Sequence, residues 1–269
     1  MSCNNGIPGD AFHSVEEAIG WEYTPTKMGP EKDKENRTQT ERASDIVRFF
    51  KGKEIPIEFG IAVAGVWSAE SGIKNWRYNN AEHENGYAYK NKIAPNAETI
   101  KYNGNTYYKD KNSMMAWGYG KGLAQWSWTR NFKFRDWYNG NGQDVVTTPN
   151  LNSMDQNAAN ITATSVSTQT AFAWKEMQER TGEFMDVVKY IKENPANDKE
   201  TFKKNVVLCV DAVLRGFENG GTKCMASTKQ IDKYTWSGGY FGAMKTRVSR
   251  ALGVAEALKS KYEELENLV

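Results

Sequence analysis

The sequence has little of what marks several large classes of protein. Three cysteines and two histidines occur in 269 residues, without a Cys-x-x-Cys pair, so we expect neither a disulfide scaffold nor a structural zinc site. No apolar run approaches the ~18 residues that span a bilayer, so no integral membrane segment is expected. Basic and acidic residues number 35 and 33, without the basic stripe of a nucleic-acid binder. The first residues lack the basic start and apolar stretch of a classical signal peptide.

The composition is otherwise that of a globular protein with many aromatic residues. Apolar residues make up 39% and charged residues 25% of the chain, which suffices for a sizeable core. Nine tryptophans and thirteen tyrosines occur, many of them close to Asn and Gly. Such residues supply the stacking faces of a sugar-binding groove, or they belong to a large core with aromatic-rich loops. We interpret Cys209 as a small core residue.

Periodicity predicts a mainly helical protein behind an N-terminal arm, residues 1–38, in which Gly and Pro interrupt every pattern. Apolar spacing predicts helices at 40–51, 57–72, 166–180, 183–193, 199–217 and 240–267. Thr40 or Ser44 can cap the first of them. Residues 73–116 form a polar excursion with a predicted hairpin turn at Asn103-Gly104, and a small β element is expected near residues 100–128.

Glu70 is the first candidate for chemistry. It follows Val63, Val66 and Trp67 at helical spacing and therefore shares their apolar face. An apolar setting favours the protonated form of a carboxylate, which is the form that a general acid needs for glycosidic cleavage. The alternative is a solvated Glu at a helix end, where Gly72 is a plausible C′ residue.

The second candidate is the glycine-rich stretch 118–126, GYGKGLAQW. Gly122 and its neighbours can take positive φ or admit a close ligand, and the amide of Gln125 can both donate to and accept from a sugar substituent. Tyr119 and Trp126 offer surfaces to hold a glycan. The alternative is a tight turn with the tryptophan packed beneath it. The spacing fits neither a dinucleotide fingerprint nor a P-loop.

The third candidate is Glu218, in the stretch FENGG at the end of the predicted helix 199–217. Its carboxylate can hydrogen-bond the loops that frame a cleft. The alternative is a solvated residue of a helix C-terminus.

In their order along the chain, these segments resemble the phage tail lysozyme family, which is related to goose-type lysozymes and lytic transglycosylases. The stretches that carry the resemblance are GIAVAGVWSAESG, GYGKGLAQWSWTR, AFAWKEM and GFENGG, within residues 40–255. The resemblance implies a mainly α, α+β lysozyme-like fold with a small β-hairpin lining a glycan cleft. Residues 39–269 would form the catalytic domain, with an extended C-terminal helix.

The resemblance also implies roles for individual residues. Glu70 would be the catalytic acid, Gln125 would contact the substrate, and Glu218 would support the site. Glycosidases usually use a second carboxylate, about 5–5.5 Å away for retention and about 6.5–9.5 Å for inversion. The candidates are Glu82, Glu84 and Asp110, of which Asp110 is chosen because it lies near the glycine-rich stretch. Lytic transglycosylases use one Glu alone, and neither route requires a metal or another cofactor.

The function expected is that of a muramidase that cleaves the MurNAc–GlcNAc β-1,4 bond of peptidoglycan. The resemblance implies a place in the virion, on the phage tail with other tail or baseplate proteins as partners, and action in the host periplasm or cell wall. The alternatives are a lytic transglycosylase, an endolysin released at lysis, a non-catalytic structural tail protein, and a cell-wall remodelling enzyme or toxin of the host.

Overall fold

Helices account for most of the chain that the structure describes. The computed structural model describes residues 12–33, 35–75, 99–102, 105–108, 120, 122–126, 129–138, 140, 161, 164–179, 183–218 and 235–269. The predicted hairpin turn at Asn103-Gly104 lies outside these ranges, as do Asp110, Tyr119, Glu82 and Glu84. Across the described ranges, no helix combines the length and the apolar character that a membrane crossing requires.

The described elements are short strands and, for the most part, longer helices. The strands are β1 (Phe12–Ser14), β2 (Thr99–Tyr102), β3 (Asn105–Tyr108) and β4 (Thr235–Ser237). The helices are α1 (Val15–Gly20), α2 (Gln39–Lys51), α3 (Ile57–Ser71), α4 (Thr129–Trp137), α5 (Val166–Glu179), α6 (Glu183–Glu193), α7 (Lys199–Ala212) and α8 (Gly238–Leu258). A π turn (Val213–Phe217) extends α7.

Two antiparallel pairs make up the β structure of the described residues. Strand β1 pairs with β4, with His13 opposite Trp236, a long-range pairing that periodicity did not predict. Strands β2 and β3 pair with Thr99 opposite Tyr108 and Tyr102 opposite Asn105. The second pair therefore flanks the position at which the sequence predicts a hairpin turn. That this hairpin lines a glycan cleft stays a prediction.

Helix α2 starts at a capping box rather than at the predicted caps. The Thr38 side chain accepts from the backbone N–H of Glu41, and the Glu41 carboxylate accepts from the backbone N–H of Thr38. The prediction of Thr40 or Ser44 as the cap was wrong, because only Thr38 has the extended backbone that precedes a first turn and a Glu three residues later.

The C-terminal helix is shorter than the predicted 240–267. Helix α8 ends at Leu258, and two 3₁₀ turns follow at Lys259–Lys261 and Glu263–Leu265. The apolar spacing persists through these turns and buries Leu265, so the pattern reports burial and not helix type. The predicted amphipathic helix is otherwise found, with Met244, Val248 and Ala251 in the core.

The chain divides into two compact units, residues 1–69 with 175–269, and residues 70–174. In the first unit, α8 packs against α2 and α7, while α7 also packs against α1 and α6. A Cβ built on Gly65 of α3 would lie 2.5 Å from the Cα of Ala251 in α8, so this crossing requires glycine. Cys209 is fully buried in the unit, as predicted, and this burial raises the pKa of its thiol well above the ordinary value.

The described part of the N-terminal arm is bound to the first unit. The backbone N–H of Thr26 donates to the carbonyl of Ser249 at 2.9 Å. Gly253 faces Thr26 so closely that a Cβ there would lie 1.9 Å from the Thr26 carbonyl oxygen. The Lys203 ammonium donates to the carbonyl of Trp21 at 2.6 Å. Residues 16–38 therefore belong to the same folded body as the C-terminal helices.

Candidate active site

Helix α3 is buried along nearly its whole length and emerges only at its last turn. Val63, Val66 and Trp67 have no exposed surface, whereas Glu70 is partly exposed. The shared helical face that the sequence predicts is therefore present, and Glu70 stands where that face reaches the surface. Glu70 is therefore neither buried with the rest of the helix nor fully exposed.

The backbone directly after Glu70 is strained. Gly72 has φ +68° and is the predicted C′ residue of α3, which confirms its place at the helix end. Ile73 follows with φ +54° and is completely buried. A β-branched residue rarely takes this left-handed conformation, and it costs on the order of 1–3 kcal/mol. Because the buried side chain of Ile73 holds it there, the direction in which the chain leaves Glu70 is fixed.

The described residues of the glycine-rich stretch are 120 and 122–126, and residues 122–126 form a tight turn. Gly122 has φ +73° and Gln125 has φ +49°, so two of its residues are left-handed. The Gln125 side-chain amide donates to the carbonyl of Gly122 at 2.8 Å and remains partly exposed. A Cβ built on buried Gly120 would lie 3.1 Å from both Cβ and Oε1 of Gln125, so this glycine admits the glutamine side chain. The turn thus presents one oriented amide.

Gly122 is required by the packing of the protein itself. A Cβ built there would lie 2.5 Å from Oε1 of Gln169 and 2.9 Å from Cγ2 of Ile161. The sequence predicted positive φ or close approach of a ligand, and here the close approach is made by the protein's own glutamine. Gly122 thus packs against α5, and substrate contact by Gly122 stays a prediction.

Trp126 is also a core residue. It has no exposed surface, and its ring centroid lies 6.0 Å from that of Phe134 and 5.8 Å from that of Phe172. Phe134 and Phe172 meet edge to face at 4.9 Å, and the Arg130 guanidinium lies 5.9 Å from the Trp126 ring. The structure thus favours the alternative of a tryptophan packed beneath the turn, since no face is left for a sugar.

Glu218 is fixed by the indole of Trp67. Trp67 Nε1 donates to Oε1 of Glu218 at 2.9 Å, and the Trp67 and Phe217 rings lie 6.4 Å apart. The π turn brings this about, because its wider bonding joins the Glu218 N–H to the carbonyl of Val213 at 3.0 Å. Glu218 therefore contacts the helix that ends in Glu70, as a supporting residue would, and is not merely a solvated helix end.

Sequence reasoning missed Gln169, whose side-chain amide is hydrogen-bonded to main-chain groups in the structure. Gln169 is buried in α5 between Thr168 and Thr170, which are also buried. Its amide bonds the turn at Leu123 and the main chain at Asn75, which follows the strained residues after Glu70. A signal was present in the sequence: Gln169 lies three residues before Phe172 on an apolar helix face, where a long amide requires buried partners.

Comparison with known proteins identifies the family of the chain. The model of the phage tail lysozyme family matches residues 41–234, which is most of the chain. The chain belongs to the phage tail lysozyme family. No significant match to a curated protein or to a solved structure was found. The family is one of lysozyme-like enzymes of phage tails, so the class is that of a hydrolase that degrades peptidoglycan.

Proposed function

We propose that this protein is a muralytic enzyme that cleaves the β-1,4 bond between MurNAc and GlcNAc, with Glu70 as the general acid. The observation that carries the proposal is the position of Glu70, partly exposed in the last turn of a buried helix and two residues before the left-handed pair Gly72 and Ile73. Strained backbone of this kind accumulates at functional sites, where the surrounding structure has to hold it. Membership in the phage tail lysozyme family supports the same substrate.

In the proposed reaction, Glu70 protonates the oxygen of the leaving sugar. The amide of Gln125 contacts an N-acetyl or hydroxyl group of the glycan, since its geometry is fixed by the bond to Gly122. Glu218 supports the site through the hydrogen bond that it accepts from Trp67 of α3. Tyr119 and Asp110 keep their predicted parts, Tyr119 in glycan contact and Asp110 as the second carboxylate.

The second half of the reaction has two forms. With a second carboxylate such as Asp110, there are two routes to a product with a reducing end. Either the carboxylate attacks the anomeric carbon and water, deprotonated by Glu70, then hydrolyses the glycosyl–enzyme bond, or the carboxylate activates a water that attacks the anomeric carbon directly. Without one, Glu70 first gives its proton to the leaving oxygen and then removes a proton from the 6-hydroxyl of MurNAc. That hydroxyl closes onto the anomeric carbon and yields a 1,6-anhydro sugar.

The deciding experiment compares wild type with Glu70→Gln on isolated peptidoglycan, with the products identified by mass spectrometry. We expect the variant to keep the thermal midpoint and to lose activity by about 10²–10⁴-fold, the usual contribution of a general acid. The matched control is Glu179→Gln, because Glu179 is exposed and forms a surface ion pair with Lys175. Cleavage by Glu70→Gln at the wild-type rate would contradict the assignment.

The products separate the candidate activities. Muropeptides with a reducing end from wild type alone support a muramidase, and anhydro products support a transglycosylase. No products from folded wild type would favour a structural tail protein with a lysozyme-like body.

We propose that the protein is part of the virion and acts on the host cell wall during entry. Family membership supports this location. Immunodetection in purified, nuclease-treated particles tests it. A protein found only in the lysate supernatant would instead be a released endolysin.

A further inference from the structure

One buried side chain joins three separate stretches of the second compact unit. Gln169 has no exposed surface. Its Oε1 accepts from the backbone N–H of Leu123 at 2.9 Å. Its Nε2 donates to the carbonyl of Asn75 at 2.9 Å and to that of Ile161 at 2.6 Å, with Thr164 more distant at 3.4 Å. An amide carries two donor hydrogens and an acceptor oxygen, so each end of Gln169 is used.

The bonded stretches are those that carry the candidate site. Asn75 lies two residues after the strained Ile73 and five after Glu70, and its own side-chain amide donates to the carbonyl of Thr164 at 2.8 Å. Leu123 lies two residues before Gln125, within the left-handed turn.

The fit between Gln169 and the turn is specific. Oε1 of Gln169 occupies the space where a Cβ at residue 122 would stand, at 2.5 Å, so the glutamine can reach Leu123 only past a glycine. Gly122 therefore serves this contact, in addition to supplying positive φ. The position of the Gln169 side chain thus requires glycine at residue 122.

We infer that Gln169 is a positioning residue that holds the chain leaving Glu70 and the turn carrying Gln125 in one arrangement. The inference rests on the proposed function, because it gives Gln169 its role through these two groups. Only an amide satisfies all partners, because a carboxylate at this position would face two carbonyl oxygens without a donor. An apolar chain would remove the bonds to Leu123 N–H and to the Asn75 carbonyl, while the Ile161 carbonyl would still accept from Thr164. The left-handed residues on either side would then relax away from the productive geometry.

The test compares Gln169→Met with Thr170→Val. Methionine keeps the length of glutamine and removes every hydrogen bond. Thr170 is buried beside Gln169 in the same helix, but among the described residues its hydroxyl bonds to the carbonyl of Val166 at 2.8 Å, within α5, and to neither of these loops. Both variants remove buried hydrogen bonds, and only one of them removes the connection.

Rates are measured on soluble glycan strands well below the thermal midpoint of each variant. We expect Gln169→Met to lower kcat by on the order of tenfold to a hundredfold, as misplacement of a catalytic group does, with a smaller change in KM. Thr170→Val should keep the wild-type kcat while losing some thermal stability. A wild-type kcat in folded Gln169→Met would overturn the inference.

Gln169→Glu provides a second variant in case the first does not fold. A protonated carboxyl group recovers one donor, so its activity relative to wild type should rise as the pH falls. A pH profile parallel to that of wild type would count against the positioning role.

Hydrogen exchange at Leu123 separates this inference from the proposed function. The Leu123 amide, which bonds to Gln169, should exchange faster in Gln169→Met and at the wild-type rate in Thr170→Val. If wild type cleaves no glycan, the proposed function fails whatever this exchange shows. If wild type cleaves glycan, and the Leu123 amide of Gln169→Met exchanges faster while kcat is unchanged, only the positioning role fails.

Discussion

The two compact units differ in the contacts that stabilise each of them internally. In the first unit, helices touch at positions without a side chain: a Cβ on Gly65 would lie 2.5 Å from Ala251, and one on Gly60 would lie 3.0 Å from the Cα of Val47. In the second unit, irregular stretches are joined through the hydrogen bonds of Gln169. Close apolar packing tolerates little change in shape, whereas a polar junction depends on a few donors and acceptors.

The location of backbone strain follows the same division. Among the described residues, the left-handed residues other than glycine in the first unit are Asn36 and Glu54, and both are exposed in surface turns. Those in the second unit are Ile73 and Gln125, which are buried and partly buried next to the candidate site. We infer that damage to the first unit reduces stability, while damage to the second reduces activity before stability.

The largest effect is expected from Gly65→Ala. The added methyl group would meet the backbone of α8 at 2.5 Å, and two packed helices would have to separate. We expect a loss of about 3 kcal/mol in the free energy of unfolding, measured by urea denaturation, with an unchanged kcat for the folded fraction.

The control for Gly65→Ala is Gly242→Ala, which lies in α8 with open space around it. It should gain about 0.5–1 kcal/mol from helix propensity. Equal stability of the two variants would remove the distinction drawn for the first unit.

An intermediate effect is expected from Trp67→Phe, which tests a polar contact inside the first unit. It removes the donor to Glu218, and a hydrogen bond to a charged group contributes about 1.5–3 kcal/mol. Activity should fall as well, because Trp67 lies one turn before Glu70. Glu218→Gln keeps an acceptor oxygen and should lose less than half as much stability in the same denaturation series. If it loses as much as Trp67→Phe, the carboxylate charge and not the indole contact is what matters.

The smallest change in stability is expected at Gln125. At this left-handed residue a glycine variant should be more stable than an alanine variant, the reverse of the usual order. Gln125→Gly and Gln125→Ala both remove the amide and should lose activity alike. The glycine variant should nevertheless be more stable by about 1 kcal/mol, because alanine is disfavoured at φ +49°. Thermal unfolding of the pair measures this difference. Higher stability of the alanine variant would show that the turn carries no strain.

The sequence predicts the elements that repeat an apolar spacing. Helix α3 and the C′ glycine Gly72 were predicted because both follow from local rules. The pairing of β1 with β4 was missed because its partners lie more than two hundred residues apart. The end of α8 at Leu258 was missed because 3₁₀ turns can continue the same burial pattern.

The candidate site could be predicted in its parts and not in its connections. Glu70 and Gln125 stand out by residue type and by neighbours, and the structure gives each a distinct place. Trp126 could be assigned to either a sugar or the core, because an aromatic residue fits both until its burial is known. Gln169 was missed because its partners are main-chain groups, and main-chain groups leave no mark on residue identity.

The contact between Thr26 and Gly253 bears on how this enzyme is divided for engineering. The region that matches the family begins at residue 41, which suggests a lytic module that starts there. A module cut at that point would uncover Gly253 and Ser249 and would leave Lys203 without the carbonyl of Trp21. A transplantable unit should therefore carry the chain from before Trp21, because the upstream segment is part of the folded protein and not a tether.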